Sequence, residues 1–170
     1  WQAAVLARIM QLAQAPERVE RVALLDTNAR ADDPSAAARR RDLLRLAGRG
    51  RFLGVAPRLM PLYLHESRLE DEGLTGAVAG MAERLGVDVF RRQQGAILKR
   101  KDHRQTLATY EGPVLVLCGR QDQVTPLARS EEMVALAPDG VLTVIEDCGH
   151  LSTMERPQAV NAALLDWMER

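Results

Sequence analysis

The run Val114-Leu115-Val116-Leu117-Cys118, with Pro113 before it and Gly119 after it, constrains the fold more than any other stretch of this chain. It is too short for a helix of its own, and its apolar residues do not alternate with polar ones. Such a run describes a strand buried on both faces, which is typical of a parallel sheet. Two other short runs have the same character, RVALLD at 21–26 and VLTVI at 141–145. A helical pattern at 127–137 separates the last two strands, with Thr125 as the expected N-cap and Pro126 at the first helical position. After the third strand, Pro157 opens a final helix with Val160, Leu164, Trp167 and Met168 on one stripe. Strands and helices alternating through short connections give the α/β class, a parallel sheet covered by helices.

Elsewhere the chain reads as helix. Val5, Leu6, Ile9, Met10, Leu12 and Ala13 recur near a 3.6-residue period, so a helix is expected over 3–15, stopped by Pro16. From about 35 to 108 the chain is rich in Arg and Ala and broken by Gly48, Gly50, Gly54, Pro57, Pro61, Gly73 and Gly86. Several short helices are expected there and no strand, the clearest helices lying at 74–86 and 88–100. Each glycine inside such a helix costs about 1 kcal/mol relative to alanine, so the segment reads as a helical insertion able to move.

Charge balance excludes some functions. Lys and Arg total 23, as do Asp and Glu, so no overall field favours nucleic acid or an anionic membrane. The basic triplets at 39–41 and 99–101 read as solvated helix faces, and 4% aromatic content argues against a base-stacking surface. No apolar run approaches membrane-spanning length, and no pattern of charge, apolar stretch and cleavage site occurs. Cys118 and Cys148 fit neither a disulfide framework nor a zinc spacing, so a reducing, cytoplasmic setting is expected.

In a parallel sheet the loops that follow the strands share one edge, the edge at which ligands bind. Asp122 lies four residues beyond Cys118, and His150 five beyond Ile145. On neighbouring strands, about 4.8 Å apart, the two side chains rise side by side, as a carboxylate that orients an imidazole requires. Spacing alone leaves a second reading open, in which Asp122 caps a turn and His150 is merely solvated. Asp26 ends the first strand on the same edge. His65 and His103 fall in the helical insertion as surface or packing residues. Cys118 and Cys148 read as half-buried thiols, the latter with no helix N-terminus to lower its pKa.

The segments GRQDQVTP (119–126), GH (149–150) and ERP (155–157) resemble the carboxyl-terminal end of the alpha/beta-hydrolase fold, and APERVERVALLD (15–26) resembles its sixth strand. The resemblance implies three parallel strands with flanking helices and a helical cap: core at 1–29, cap at 30–108, core again at 109–170. It makes His150 the general base, Asp122 the triad acid and Asp26 an alternative acid, with Phe52, Met60 and Tyr63 candidates to line an acyl pocket. The implied reaction is hydrolysis of a small-molecule carboxylic ester or lactone, with no metal, organic cofactor, nucleic acid or membrane insertion involved.

One departure stands out. The family's G-x-S-x-G elbow is absent, and Ser35, Ser67, Ser130 and Ser152 all lie away from a strand-to-helix turn. Family order would place the nucleophile at Gln2 or before Trp1, so the expectation is a truncated chain whose elbow, oxyanion loop and earlier strands lie upstream. A degenerate homologue is the other reading. An Asp nucleophile would make the parent a dehalogenase or epoxide hydrolase, and a noncatalytic binding module is the alternative outside enzymes. A nucleotide-binding fold is disfavoured by the lack of any G-x-G-x-x-G.

Overall fold

Val22–Leu25 (β1), Val114–Gly119 (β2) and Gly140–Ile145 (β3) pair in the order β1-β2-β3, every pair parallel, in a computed structural model that describes residues 12–47 and 59–170. The register sets Leu24 beside Val116, and Val116 beside Leu142. The central strand is buried at all six residues because both faces are covered. Val114 and Val116 pack with Leu12, Leu107, Tyr110 and Met133 on one face, while Leu115 and Leu117 pack with Ile145, Val160 and Trp167 on the other. This two-residue alternation between two apolar layers explains the unbroken apolar run, since each fully buried side chain contributes about 1.5–3 kcal/mol.

Seven helices accompany the sheet among the described residues: Pro34–Ala47 (α1), Met60–Tyr63 (α2), Glu72–Leu98 (α3), Arg104–Ala108 (α4), Leu127–Leu136 (α5), Ser152–Glu155 (α6) and Pro157–Met168 (α7). The first face is covered by α5 through Met133, and the second by α7 through Val160 and Trp167. The long connection from β1 to β2 carries helices and no strand among its described residues. It leaves and returns at one place, where the His103 amide donates to the Ala29 carbonyl at 2.8 Å and Asp32 accepts from Arg40 and Arg100.

Several sequence expectations differ in detail. The helices expected at 74–86 and 88–100 are both present as the two stretches of α3, which meet at a kink at Gly86, whose φ of 71° is non-helical and is adopted readily only by glycine. Asp71 starts it by accepting from the Leu74 amide. Thr125 is not the cap of α5: Pro126 holds that position, no side-chain cap bond forms, and Thr125 turns to Asp122 instead. Met168 is 54% exposed and so leaves the apolar stripe that Val160 and Trp167 keep. Both cysteines are fully, not half, buried. Of the helix expected at 3–15, residues 12–14 are described and are helical, and the rest lies outside the described residues.

Candidate functional site

Two glycines bring the loops after β2 and β3 together. A methyl group at Gly119 would lie 2.1 Å from the Gly149 carbonyl oxygen and 2.4 Å from that of Cys148, so only hydrogen fits there. The loops are then joined by main chain and side chain. Gln121 N donates to Cys148 O at 3.0 Å, Cys148 N donates to Gln121 Oε1 at 3.1 Å, and Arg120 pairs with Glu146 across the solvent side. Asp147, with a φ of 48°, turns the second loop towards the first, and Arg156 holds its carbonyl.

The result is a buried contact of 2.8 Å between Asp122 Oδ2 and His150 Nδ1. Asp122 is 4% exposed and His150 7%, so the pair is largely shielded from water. Asp122 Oδ1 accepts from the amides of Val124 and Thr125 at 2.7 and 2.8 Å, and Oδ2 also accepts from the Thr125 hydroxyl at 2.8 Å. These donors replace water around the carboxylate and fix its direction. With Nδ1–H donating to Asp122, the proton-accepting lone pair is on Nε2, which no hydrogen bond engages among the described residues. The Tyr63 ring lies 6.2 Å from the imidazole and tilted to it, and the Tyr63 carbonyl accepts from the His150 amide at 2.8 Å.

Asp26 sits on the same edge but turns elsewhere. Its Oδ2 accepts from the Ser152 hydroxyl at 2.6 Å and the Ser152 amide at 3.1 Å, while Oδ1 is buried with no partner among the described residues. Burial pushes its carboxyl up to about 6, against the opposing pull of the Ser152 bond and the His150 charge. Met60 is buried with Leu64, Leu74 and Val78, in a cluster that reaches Leu151 and Met154 of the histidine loop. Phe52 lies outside the described residues. His103 is buried and His65 is bonded to Ser67. Burial pushes both cysteine thiols up, most strongly Cys148, which keeps them protonated and unreactive. Among the described residues no three His, Cys, Asp or Glu side chains converge as metal ligands would, and no helix is long and apolar enough to cross a membrane.

Three participants had no role in the sequence reading. In the sequence Thr125 reads as a helix cap, Ser152 only as a serine away from any strand-to-helix turn, and Glu155 as one letter of the ERP segment. Glu155 is 1% exposed, and its carboxylate accepts the amides of Gly149 and Leu151, on either side of His150. The only sequence signal for it was its fixed distance from Gly149 and Pro157.

Comparison with known proteins places this geometry. Residues 6–157 match the family described as alpha/beta hydrolase fold. A thermophilic esterase from Thermogutta terrifontis superposes with a TM-score of 0.87 at 27% identity, covering 97% of this chain and 61% of that one. The enol-lactonase from Burkholderia xenovorans LB400 superposes with a TM-score of 0.80 at 21% identity, covering 98% and 62%, and shares the fold. In sequence, the 2-hydroxy-6-oxononadienedioate/2-hydroxy-6-oxononatrienedioate hydrolase 2 of Pseudomonas putida is 29% identical over 68 residues, 40% of this chain and 24% of that protein. The chain spans at most about half the length of the curated relatives it matches, between 20% and 48%.

Proposed function

The chain belongs to the alpha/beta hydrolase fold family, and from that premise we propose that it carries the acid–base half of a Ser-His-Asp hydrolase acting on a small-molecule carboxylic ester or lactone. The observation that carries this reading is the buried 2.8 Å contact between Asp122 and His150. In the proposed cycle a serine hydroxyl attacks the acyl carbon while His150 Nε2 takes its proton. The imidazolium gives that proton to the leaving alkoxide oxygen. His150 then deprotonates water, which attacks the acyl-enzyme, and the proton returns to the serine. Asp122 holds Nδ1–H and stabilises the imidazolium in a site where little water screens the charge.

The serine belongs to a G-x-S-x-G elbow contributed by sequence outside these 170 residues, for no such motif occurs within them. Asp26 is not given the acid's part, because its bonded oxygen is taken up by Ser152. Residues 30–108 are assigned to a cap over the acyl pocket, with Tyr63 beside the imidazole and Met60 in the apolar cluster behind it. Likeness to an esterase over 97% of the chain supports an acyl substrate.

The experiment is a burst titration with p-nitrophenyl acetate. The full-length protein is expected to release one equivalent of nitrophenolate per chain rapidly, and His150→Ala to lose at least about a thousandfold in turnover. The 170-residue chain alone is expected to give no burst. Full activity in His150→Ala would overturn the base assignment, and a burst from the short chain would overturn the external nucleophile.

A further inference from the structure

Glu155 is a carboxylate at 1% exposure that the reaction above does not use. Both its oxygens face main-chain amides. Oε1 accepts from Gly149 at 2.9 Å and Leu151 at 3.3 Å, and Oε2 accepts from His65 at 2.7 Å. The first two amides flank His150. The third belongs to His65, the second residue after α2 and extended in backbone, in the connection between β1 and β2.

The same two segments meet elsewhere. The amides of His150 and Leu151 donate to the Tyr63 carbonyl, and a methyl group at Gly149 would lie 2.8–2.9 Å from Tyr63 O, His65 N and Leu64 C. Arg68 adds a bond to the Glu155 carbonyl at 2.8 Å. A buried charge persists only where donors replace its lost water, and here the donors are the amides whose placement sets the imidazole. A neutral apolar side chain would fill the space but leave the amides of Gly149 and His65 without the carboxylate that accepts them, while Leu151 would keep the Tyr63 carbonyl.

We propose that Glu155 is a positioning residue for His150: it ties the amides on both sides of the histidine to residue 65, so that the imidazole stays on Asp122 and the segment 63–65 stays seated on the histidine loop. This inference rests on the proposed role of His150. It makes the residue 63–65 portion of the cap a fixed wall of the site, leaving any opening motion to other parts of the cap.

Glu155→Gln in the full-length protein tests it. Glutamine sets an NH2 group against at least one of the amides, so at least one tie is lost. Turnover of p-nitrophenyl acetate is expected to fall roughly 10- to 100-fold, with KM changing less than about twofold. The low-field Nδ1 proton resonance of His150 is expected to shift or broaden. A variant with a lower Tm but unchanged turnover and unchanged imidazole resonance would overturn the proposal. Hydrogen exchange on the wild-type protein gives a second test that needs no variant. The amides of His65, Gly149 and Leu151 are expected to open together with common protection, and a His65 amide that exchanges far faster than the other two would overturn the tie. A wild-type protein inactive on the ester would sink the proposed reaction, while the resonance and the exchange pattern would still decide the role of Glu155.

Discussion

Asp122 and Asp26 are both buried carboxylates at the carboxyl edge of the sheet, yet their surroundings give them opposite character. Asp122 gathers two amides, a hydroxyl and an imidazole. Asn at 122 would keep the shape but turn either an NH2 group or a weaker acceptor towards Nδ1, favouring the wrong tautomer. Turnover in Asp122→Asn is expected to drop about 10⁴-fold, with loss of the low-field imidazole proton, measured on the full-length protein. Asp26 has one bonded oxygen and one buried oxygen with no partner among the described residues, and its pKa rises from 3.8 to about 6. A carboxyl raised in this way binds its proton more tightly when folded than when unfolded. Its contribution is therefore least unfavourable below pH 3.8, declines as pH rises through the interval to about 6, and stays low above it. Asp26→Asn is expected to stabilise the protein at pH 7 by about 1–3 kcal/mol, with the gain vanishing near pH 4. Urea unfolding at the two pH values checks this, and equal gains at both would remove desolvation of Asp26 as the cause.

The elements carry the site through their ends. β2 stops at Gly119 because the next loop's carbonyls occupy the space a side chain would need. Gly119→Ala is expected to cost about 2 kcal/mol or more, since backbone rather than a flexible side chain must move. Gly76→Ala, in α3 with nothing within 4 Å of the added methyl, is expected to gain about 0.5–1 kcal/mol. Thermal or urea unfolding of the two variants, compared with wild type, reads both signs. The same elements explain what was legible in the sequence. A strand buried on both faces writes an unbroken apolar run, so β1, β2 and β3 were readable to within about a residue at each end. Once strands are placed, parallel topology puts Asp122 and His150 on one edge, but spacing left their contact open and the family resemblance was what paired them. The break inside α3 was legible as well, because Gly86 reads locally as a stop and its backbone leaves helical geometry there. The roles of Thr125, Ser152 and Glu155 were not legible. Ser152 bonds Asp26, 126 residues away, and Glu155 bonds His65, 90 residues away. Thr125 and Glu155 also have near partners, in Asp122, Gly149 and Leu151, but those bonds run to a loop carboxylate and to main-chain amides, which no residue pattern marks.

At the scale of the whole molecule, the described part of the connection between β1 and β2 meets the rest of the chain through core packing of Ala29, Leu107 and Tyr110 and through two polar junctions. One is the histidine loop, seated on residues 63–65. The other is where the connection leaves and returns: the His103 amide bonded to Ala29, Asp32 paired with Arg40 and Arg100, and Arg30 paired with Glu132 of α5. Asp32 is the centre of this second junction. Its side chain is 8% exposed, it faces an Arg100 side chain that is 10% exposed, and Arg100 Nε is buried with no partner among the described residues. Removing the carboxylate's charge leaves a largely buried guanidinium uncompensated beside a second one, the situation in which breaking an ion pair costs most. Asp32→Asn is therefore expected to destabilise the protein by about 3 kcal/mol. The loss is expected to fall unevenly: amides of α3, whose end Arg100 follows, should exchange faster, while those of β2, buried on both faces by other elements, should keep their protection until global unfolding. Hydrogen exchange resolved by residue separates the two. Uniform acceleration across α3 and β2 would mean that the connection and the sheet unfold as one unit, and that Asp32 stabilises the whole rather than a junction.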